Sequence, residues 1–302
     1  MGVAMYEGDY LHLSAMMGTY PKTDPLKRKA LTSKRFDLQF APVDVAQKAF
    51  KPLVRELKYD VAEIAIVTFL QAFAAGKPYV LLPFVMNGGF HHKSIVCRAD
   101  SPLKAEDLSG RRVAMRAYTQ TTPTWVRGIL SDDYGLRLDG VRWFSQEGAH
   151  VADYADPPWV HHLDGAVGLE QMLIAGDVDA IIAGGGLSDD PRIRPLLPNP
   201  RQTAMAWYAR HKVVPINHMM VMRKELAEAR PDIVREMFRL LQESRHVGDN
   251  RSALNGIDLQ PIGFEAVEPA VRMIVRFAVE QKLIPETYPV EALFGPVLEA
   301  IA

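Results

Sequence analysis

A single cysteine, Cys97, leaves the 302-residue chain without any internal disulfide. Net charge is nearly absent as well: 36 acidic residues face 35 basic ones, which gives no electrostatic footprint for a nucleic-acid partner. The basic residues gathered between Lys22 and Lys34 read as a solvated excursion. No stretch approaches the roughly 18 apolar residues of a membrane span. The longest candidate, VAEIAIVTFLQAFAAG, is interrupted by Glu63 and ended by Gln71. The opening MGVAMYEGDYLHL carries Glu7 and Asp9 and lacks both a basic leader and an apolar run before a small-residue cleavage site, so cytoplasm is the expected compartment. Metal-ligand spacing is missing too. His91-His92 and His161-His162 are adjacent pairs that a strand points to opposite faces, and no Cys or carboxylate pattern completes a zinc set. Gly184 to Gly186 has no following Lys-Ser or Lys-Thr and is a turn, not a phosphate loop. Neither repeats nor low-complexity tracts occur, and nothing calls for a metal or cofactor.

What is present is a hydrophobic fraction of 48% on a length that suits two lobes of about 150 residues each. The stretch Gly110 to Gly135 is the most informative. Val113 and Met115 alternate as in a strand over Arg111 to Arg116, and a polar turn from Ala117 to Thr122 follows. Thr122 before Pro123 predicts a capped helix, with Trp125, Ile129 and Leu130 facing inward and Gly135 as the stop. Around it, residues 1 to 20 read as a strand entering a loop at Gly8 to His12, and Phe36 to Pro42 as a second strand. Val43 to Leu57 reads as a helix. Tyr59 to Ile64 is β-like and Thr68 to Ala75 helical, with the polar pair Glu63 and Thr68 at their junction. Pro78 to Pro83 and Ser94 to Arg98 read as neighbours in one sheet, with Cys97 a buried small hydrophobe. Val141 to Phe144, Leu169 to Ala175 and Ala180 to Ala183 continue the alternation of strand and helix, Trp207 to His211 begins the return, and Val213 to Met222 carries the chain back. The end is helical, at about 224–229, 231–248, 268–281 and 290–300.

Such alternation predicts an α/β protein with a largely parallel sheet in each lobe and a ligand cleft between them. The expected division is lobe I from 1–115 plus 213–302 and lobe II from 116–212, with two chain crossings.

Several pieces carry a resemblance: GDY at Gly8 to Tyr10, YDVAE with Thr68 after it, FHHKSIVCR at Phe90 to Arg98, the whole of Gly110 to Gly135, LEQMLIAGDVDAII, and PINHMMVMRKELAEARPDIV. Through them the chain resembles, over nearly its full length, the 4,5-dihydroxyphthalate decarboxylases, which use the type II periplasmic-binding-protein fold. The WVRGIL helix and the PINH turn are the most specific of these pieces. Two departures stand out: Arg116-Ala117-Tyr118 replaces the family's proline-glutamate-tyrosine run, and Val151 to His162 has no match.

The resemblance implies a metal-independent carboxy-lyase acting on a small aromatic carboxylate, with no nucleic-acid or membrane partner and a homodimer allowed. Arg116 and Arg127 are then candidates for the substrate carboxylates, against the alternative of surface salt bridges. Thr119, Gln120, Thr121 and Thr122 could donate to an anion at the helix amino terminus, although Thr122 is also explained as a cap. Tyr118, Thr68 and His12 complete the expected substrate contacts. His92 and His218 are the candidates for proton transfer, imidazole being the side chain that titrates near neutral pH; the alternative for each is a hydrogen-bonded structural histidine. Glu63 is either a buried acid of raised pKa that orients a histidine or a paired core carboxylate. Two rival functions share the fold: a solute-binding protein that holds an aromatic or other small carboxylate without reacting, and a dehydratase-type lyase such as the chorismate dehydratases.

Overall fold

A computed structural model describes residues 6, 8–163, 165–248 and 253–302. In chain order its principal strands are β1 (Leu11–Met16), β2 (Phe36–Phe40), β3 (Val61–Ala65), β4 (Tyr79–Gly88), β5 (Ile95–Arg98), β6 (Arg112–Ala117), β7 (Arg142–Glu147), β8 (Val160–His162), β9 (Ala180–Ile182), β10 (Ile193–Pro195) and β11 (Ile216–Arg223). They form two sheets, each within its own compact unit.

The first unit comprises Met1–Gly88, Ile216–Arg272 and Thr287–Ala302. Its sheet runs in the order β2-β1-β3-β11-β4. β1 pairs in parallel with β2 and β3, and β11 runs antiparallel to both β3 and β4. Eight consecutive residues of β4, Tyr79 to Met86, are buried, which accounts for an apolar run without alternation: both faces of the strand are covered. The core spreads from Leu13 and Phe36 through Leu82 and Met220 to Val234, Met237 and Leu241 of the helix Pro231–Val247.

The second unit comprises Gly89–Pro215 and Met273–Glu286, with a sheet in the order β10-β5-β9-β6-β7-β8. β6 pairs in parallel with β7 and β9, while β5 is antiparallel to β9 and β10. The helix Thr121–Tyr134 follows β6 and ends at Gly135, whose φ of 62° is the left-handed stop expected of that glycine. Gly128 inside it is required by packing, because a Cβ there would collide with the ring of Phe277.

Several expectations are corrected. The units divide at 88/89 and 215/216, not at 115/116 and 212/213, because β5 and β6 build the second sheet, and residues 273–286 join that unit too. For the same reason β4 and β5 are not neighbours in one sheet. Both sheets are mixed: the returning strand β11 inserts antiparallel between β3 and β4. The first strand follows the loop at residues 8–10 instead of preceding it, and the part of the expected strand at residues 1–5 and 7 lies outside the described residues. Trp207 to His211 belongs to a helix, Pro200–His211. Gln120, not Thr122, is the N-cap residue of the helix Thr121–Tyr134; its side-chain oxygen accepts from the Ala117 N–H at 3.3 Å and bonds the turn instead of the helix end.

Candidate active site

In the first unit, pairing of β3 with β11 sets Ala65 opposite His218 and Glu63 opposite Met220. Glu63 and His218 are therefore diagonal neighbours on one face of the sheet, a spacing that a glutamate and an imidazole can bridge. Glu63 Oε1 lies 2.6 Å from His218 Nδ1. The register is irregular on the β11 side facing β4, between Ile216 and Met220, beside the histidine, where bulges commonly accompany sites. Phe50 packs edge-on against the imidazole, with ring centroids 5.3 Å apart.

The carboxylate is fully enclosed, yet its oxygens are bonded. The Gly18 N–H donates to Oε2 at 2.9 Å and the Tyr20 hydroxyl to Oε1 at 2.9 Å. Burial pushes the Glu63 pKa up, but the bond and charge of His218, the Gly18 N–H and the Tyr20 hydroxyl together outweigh it and hold the carboxyl below its ordinary value. Of the two alternatives for Glu63, the raised pKa is corrected and the paired carboxylate is the one the geometry fits. With an ionised acceptor at 2.6 Å, the proton of the pair sits on Nδ1 of His218, and Nε2 is the ring position that can exchange a proton elsewhere.

Gly18 and Tyr20 come from the segment that leaves the carboxyl end of β1, and the helix Ile66–Ala74 starts at the carboxyl end of β3 with buried Thr68 in its first turn. The Glu63–His218 pair thus lies at the end of the parallel strands where open α/β sheets collect ligands. His12 does not belong to it. It is exposed near the start of β1, next to Gln39, six residues or about 20 Å of extended chain before Gly18.

The other expected site residues lie in the second unit. Arg127 is fully buried: Nε donates to Gln281 Oε1 at 2.7 Å, Nη1 points to Met115 Sδ at 3.1 Å, and Nη2 donates to the Tyr118 carbonyl at 2.6 Å. Its guanidinium stands 3.8 Å from the centre of the Tyr118 ring. All three nitrogens of the fork are committed to the protein, so Arg127 is a core cation tying the helix to the turn and not an open carboxylate receptor. Tyr118 is likewise enclosed, accepting from Trp159 Nε1 at 3.2 Å. Arg116 is exposed and loosely paired with Glu147 at 3.6 Å. Thr119, Thr121 and Thr122 are buried around the helix start, and Gln120 is half-buried.

His92 differs from His218 in its hydrogen bonding. It is enclosed against Trp207, with ring centroids 5.9 Å apart, and neither ring nitrogen has a hydrogen-bond partner. Burial pulls its pKa down to about 4, with Asp133 opposing and Arg210 adding to the fall. At neutral pH it is an uncharged imidazole, a poor source of protons.

Tyr20 and Gly18 had no signal in the sequence: each matters through a contact more than 40 residues away. Among the described residues no group of three or more His, Cys, Asp or Glu side chains gathers as metal ligands, and no helix is long and apolar enough to cross a membrane.

No protein-family profile matches the chain. It is 27% identical, over 80% of its length and 77% of the relative's, to a protein of Comamonas testosteroni described as 4,5-dihydroxyphthalate decarboxylase. A protein of Pseudomonas putida with the same description is 28% identical over 66% of this chain and 81% of its own. Among solved structures, the periplasmic aliphatic sulphonate-binding protein of Escherichia coli superposes with a TM-score of 0.57 at 14% identity, covering 95% of this chain and 97% of its own, which speaks for the fold alone. The chain is thus similar over most of its length to two proteins described as 4,5-dihydroxyphthalate decarboxylases, and its fold is of the type II periplasmic-binding-protein-like kind.

Proposed function

We propose that the protein is a carboxy-lyase that removes one carboxyl group from a hydroxylated, phthalate-like aromatic acid, and that His218, held by Glu63, transfers the proton. The single observation that carries this reading is the enclosed carboxylate–imidazole pair at the ligand end of the first unit's sheet, in a chain whose curated relatives are described as decarboxylases.

The chemistry is balanced by one proton. A hydroxyl para to the departing carboxylate feeds electron density to the ring carbon that bears it. Nε2 of the imidazolium delivers a proton to that carbon, the carbon–carbon bond then breaks, and carbon dioxide leaves with the ring restored. Solvent returns the proton to His218, while Glu63 keeps the ring oriented through Nδ1. This sequence uses protein groups alone. General acid catalysis of this kind contributes roughly a hundred- to ten-thousand-fold. On the second unit, the accessible candidates for substrate carboxylates narrow to Arg116 and the Gln120 amide, and their replacement is expected to raise KM.

Incubation with 4,5-dihydroxyphthalate tests the reading: carbon dioxide and 3,4-dihydroxybenzoate are expected in equal amounts. Tight binding without turnover would instead favour a solute-binding role, and a product lacking water in place of carbon dioxide would favour a dehydratase.

A further inference from the structure

Glu63 Oε1 accepts two hydrogen bonds, one from His218 Nδ1 and one from the Tyr20 hydroxyl, so the two donors compete for one oxygen. The segment that presents Tyr20 is held by several hydrogen bonds. The Tyr20 N–H donates to Thr23 Oγ1 at 2.9 Å, and that hydroxyl donates to the Gly18 carbonyl at 2.8 Å. Lys22, enclosed two residues on, donates through Nζ to the Met86 carbonyl and to Gln260 Oε1, and its own carbonyl accepts from Ser244 Oγ at 2.7 Å. Gly18 has a steric reason to be glycine: a Cβ there would stand 2.5 Å from both Cζ and Oη of Tyr20. Its missing side chain leaves the place that the tyrosine ring occupies on its way to the carboxylate.

From this geometry we propose that Tyr20 is a positioning residue for the Glu63–His218 pair, setting through the shared oxygen how strongly the carboxylate holds the imidazole. The inference rests on the carboxy-lyase reading only for its catalytic consequence. Charged and titratable groups near Glu63 come from three elements: His218 on β11, Tyr20 and Lys22 in the segment after β1, and Lys27 at the end of the helix Asp24–Lys27. Of these, Tyr20 and His218 are the two whose side chains bond the carboxylate. Removing the Tyr20 hydroxyl makes Oε1 more basic, so Oε1 binds the Nδ1 proton more tightly and the carboxyl itself protonates at higher pH.

Proton NMR of the full chain at neutral pH, without substrate, tests the proposal. The Nδ1 proton of His218, assigned by its loss in His218→Gln, is read in the wild type, Tyr20→Phe and Gly18→Ala. Further downfield movement is expected in both variants: one lacks the hydroxyl, the other keeps it but has it displaced. The acid limb of kcat/KM should also move to higher pH in Tyr20→Phe. An unmoved Nδ1 resonance in a folded Tyr20→Phe protein overturns the proposal; if that variant does not fold, the same reading on Gly18→Ala decides it. Absence of decarboxylation would remove the carboxy-lyase reading and leave the NMR result standing by itself.

Discussion

One share of the loss of stability in acid should come from His92. In the folded protein its imidazole titrates near 4, against an ordinary value of 6.5, because burial without a hydrogen-bond partner penalises the charged form. The unfolded chain therefore takes up the proton first. Stability from this group is fully present above pH 6.5, falls by up to about 1.4 kcal/mol per pH unit as the pH drops from 6.5 towards 4, and levels off below. Integrated between pH 7.5 and 4.5, the loss is about 2.5 kcal/mol. Urea unfolding at several pH values, followed for the wild type and His92→Leu, isolates this share from that of the carboxylates, which both proteins have in common. The leucine variant starts with its own packing change beside Trp207, so the informative quantity is how the difference between the two proteins varies with pH. It should move in the variant's favour by about 2.5 kcal/mol over that range. Parallel pH profiles, or an NMR titration of His92 centred near 6.5, would show that burial does not depress this imidazole.

Gly128→Ala should destabilise the protein by about 1–3 kcal/mol in chemical denaturation despite the better helix propensity of alanine, because the new methyl group meets the Phe277 ring; Phe277→Leu in the same chain should recover part of the loss, and simple additivity of the two changes would count against the contact. Arg127→Met is expected to cost several kcal/mol of stability while leaving KM for substrate within about twofold where the variant stays folded, since its fork is occupied by Gln281, Met115 and Tyr118; a large rise in KM with unchanged stability would return Arg127 to the substrate site. Arg116→Ala should raise KM and leave the unfolding free energy within about 0.5 kcal/mol of wild type, as its pairing with Glu147 is long and exposed; unchanged kinetics would exclude it from binding.

Most of the α/β alternation was legible because it is local. The helix Leu169–Ala175 follows directly from its apolar spacing, and Gly135 stops the helix before it where the sequence places the stop. The apolar strands β4 and β5 were found too, but their assignment to one sheet failed, since nothing in two buried runs says which partner each will take. That is a question of pairing across more than a hundred residues, as β11 shows by inserting between β3 and β4. Among site residues, Glu63 was visible as a charge inside an apolar run and His218 as the polar member of PINH. Which partner Glu63 takes is not legible, and so its two readings, a raised pKa or a paired carboxylate, stay open in the sequence: burial is read there, whereas the three hydrogen bonds that outweigh it come from Gly18, Tyr20 and His218. Arg127 misled for the converse reason. A guanidinium on a helix after a polar turn looks available, but its aromatic and amide partners enclose it.

In the proposed mechanism His218, oriented by Glu63, supplies the proton that replaces the carboxyl group. Single-turnover release of carbon dioxide from 4,5-dihydroxyphthalate, measured for the wild type, His218→Ala and Glu63→Gln with folding checked in each, tests it most directly. Loss of roughly a hundred- to ten-thousand-fold in His218→Ala is predicted, with a smaller loss in Glu63→Gln and partial rescue of His218→Ala by added imidazole. A His218→Ala protein that releases carbon dioxide at the wild-type rate would contradict the account.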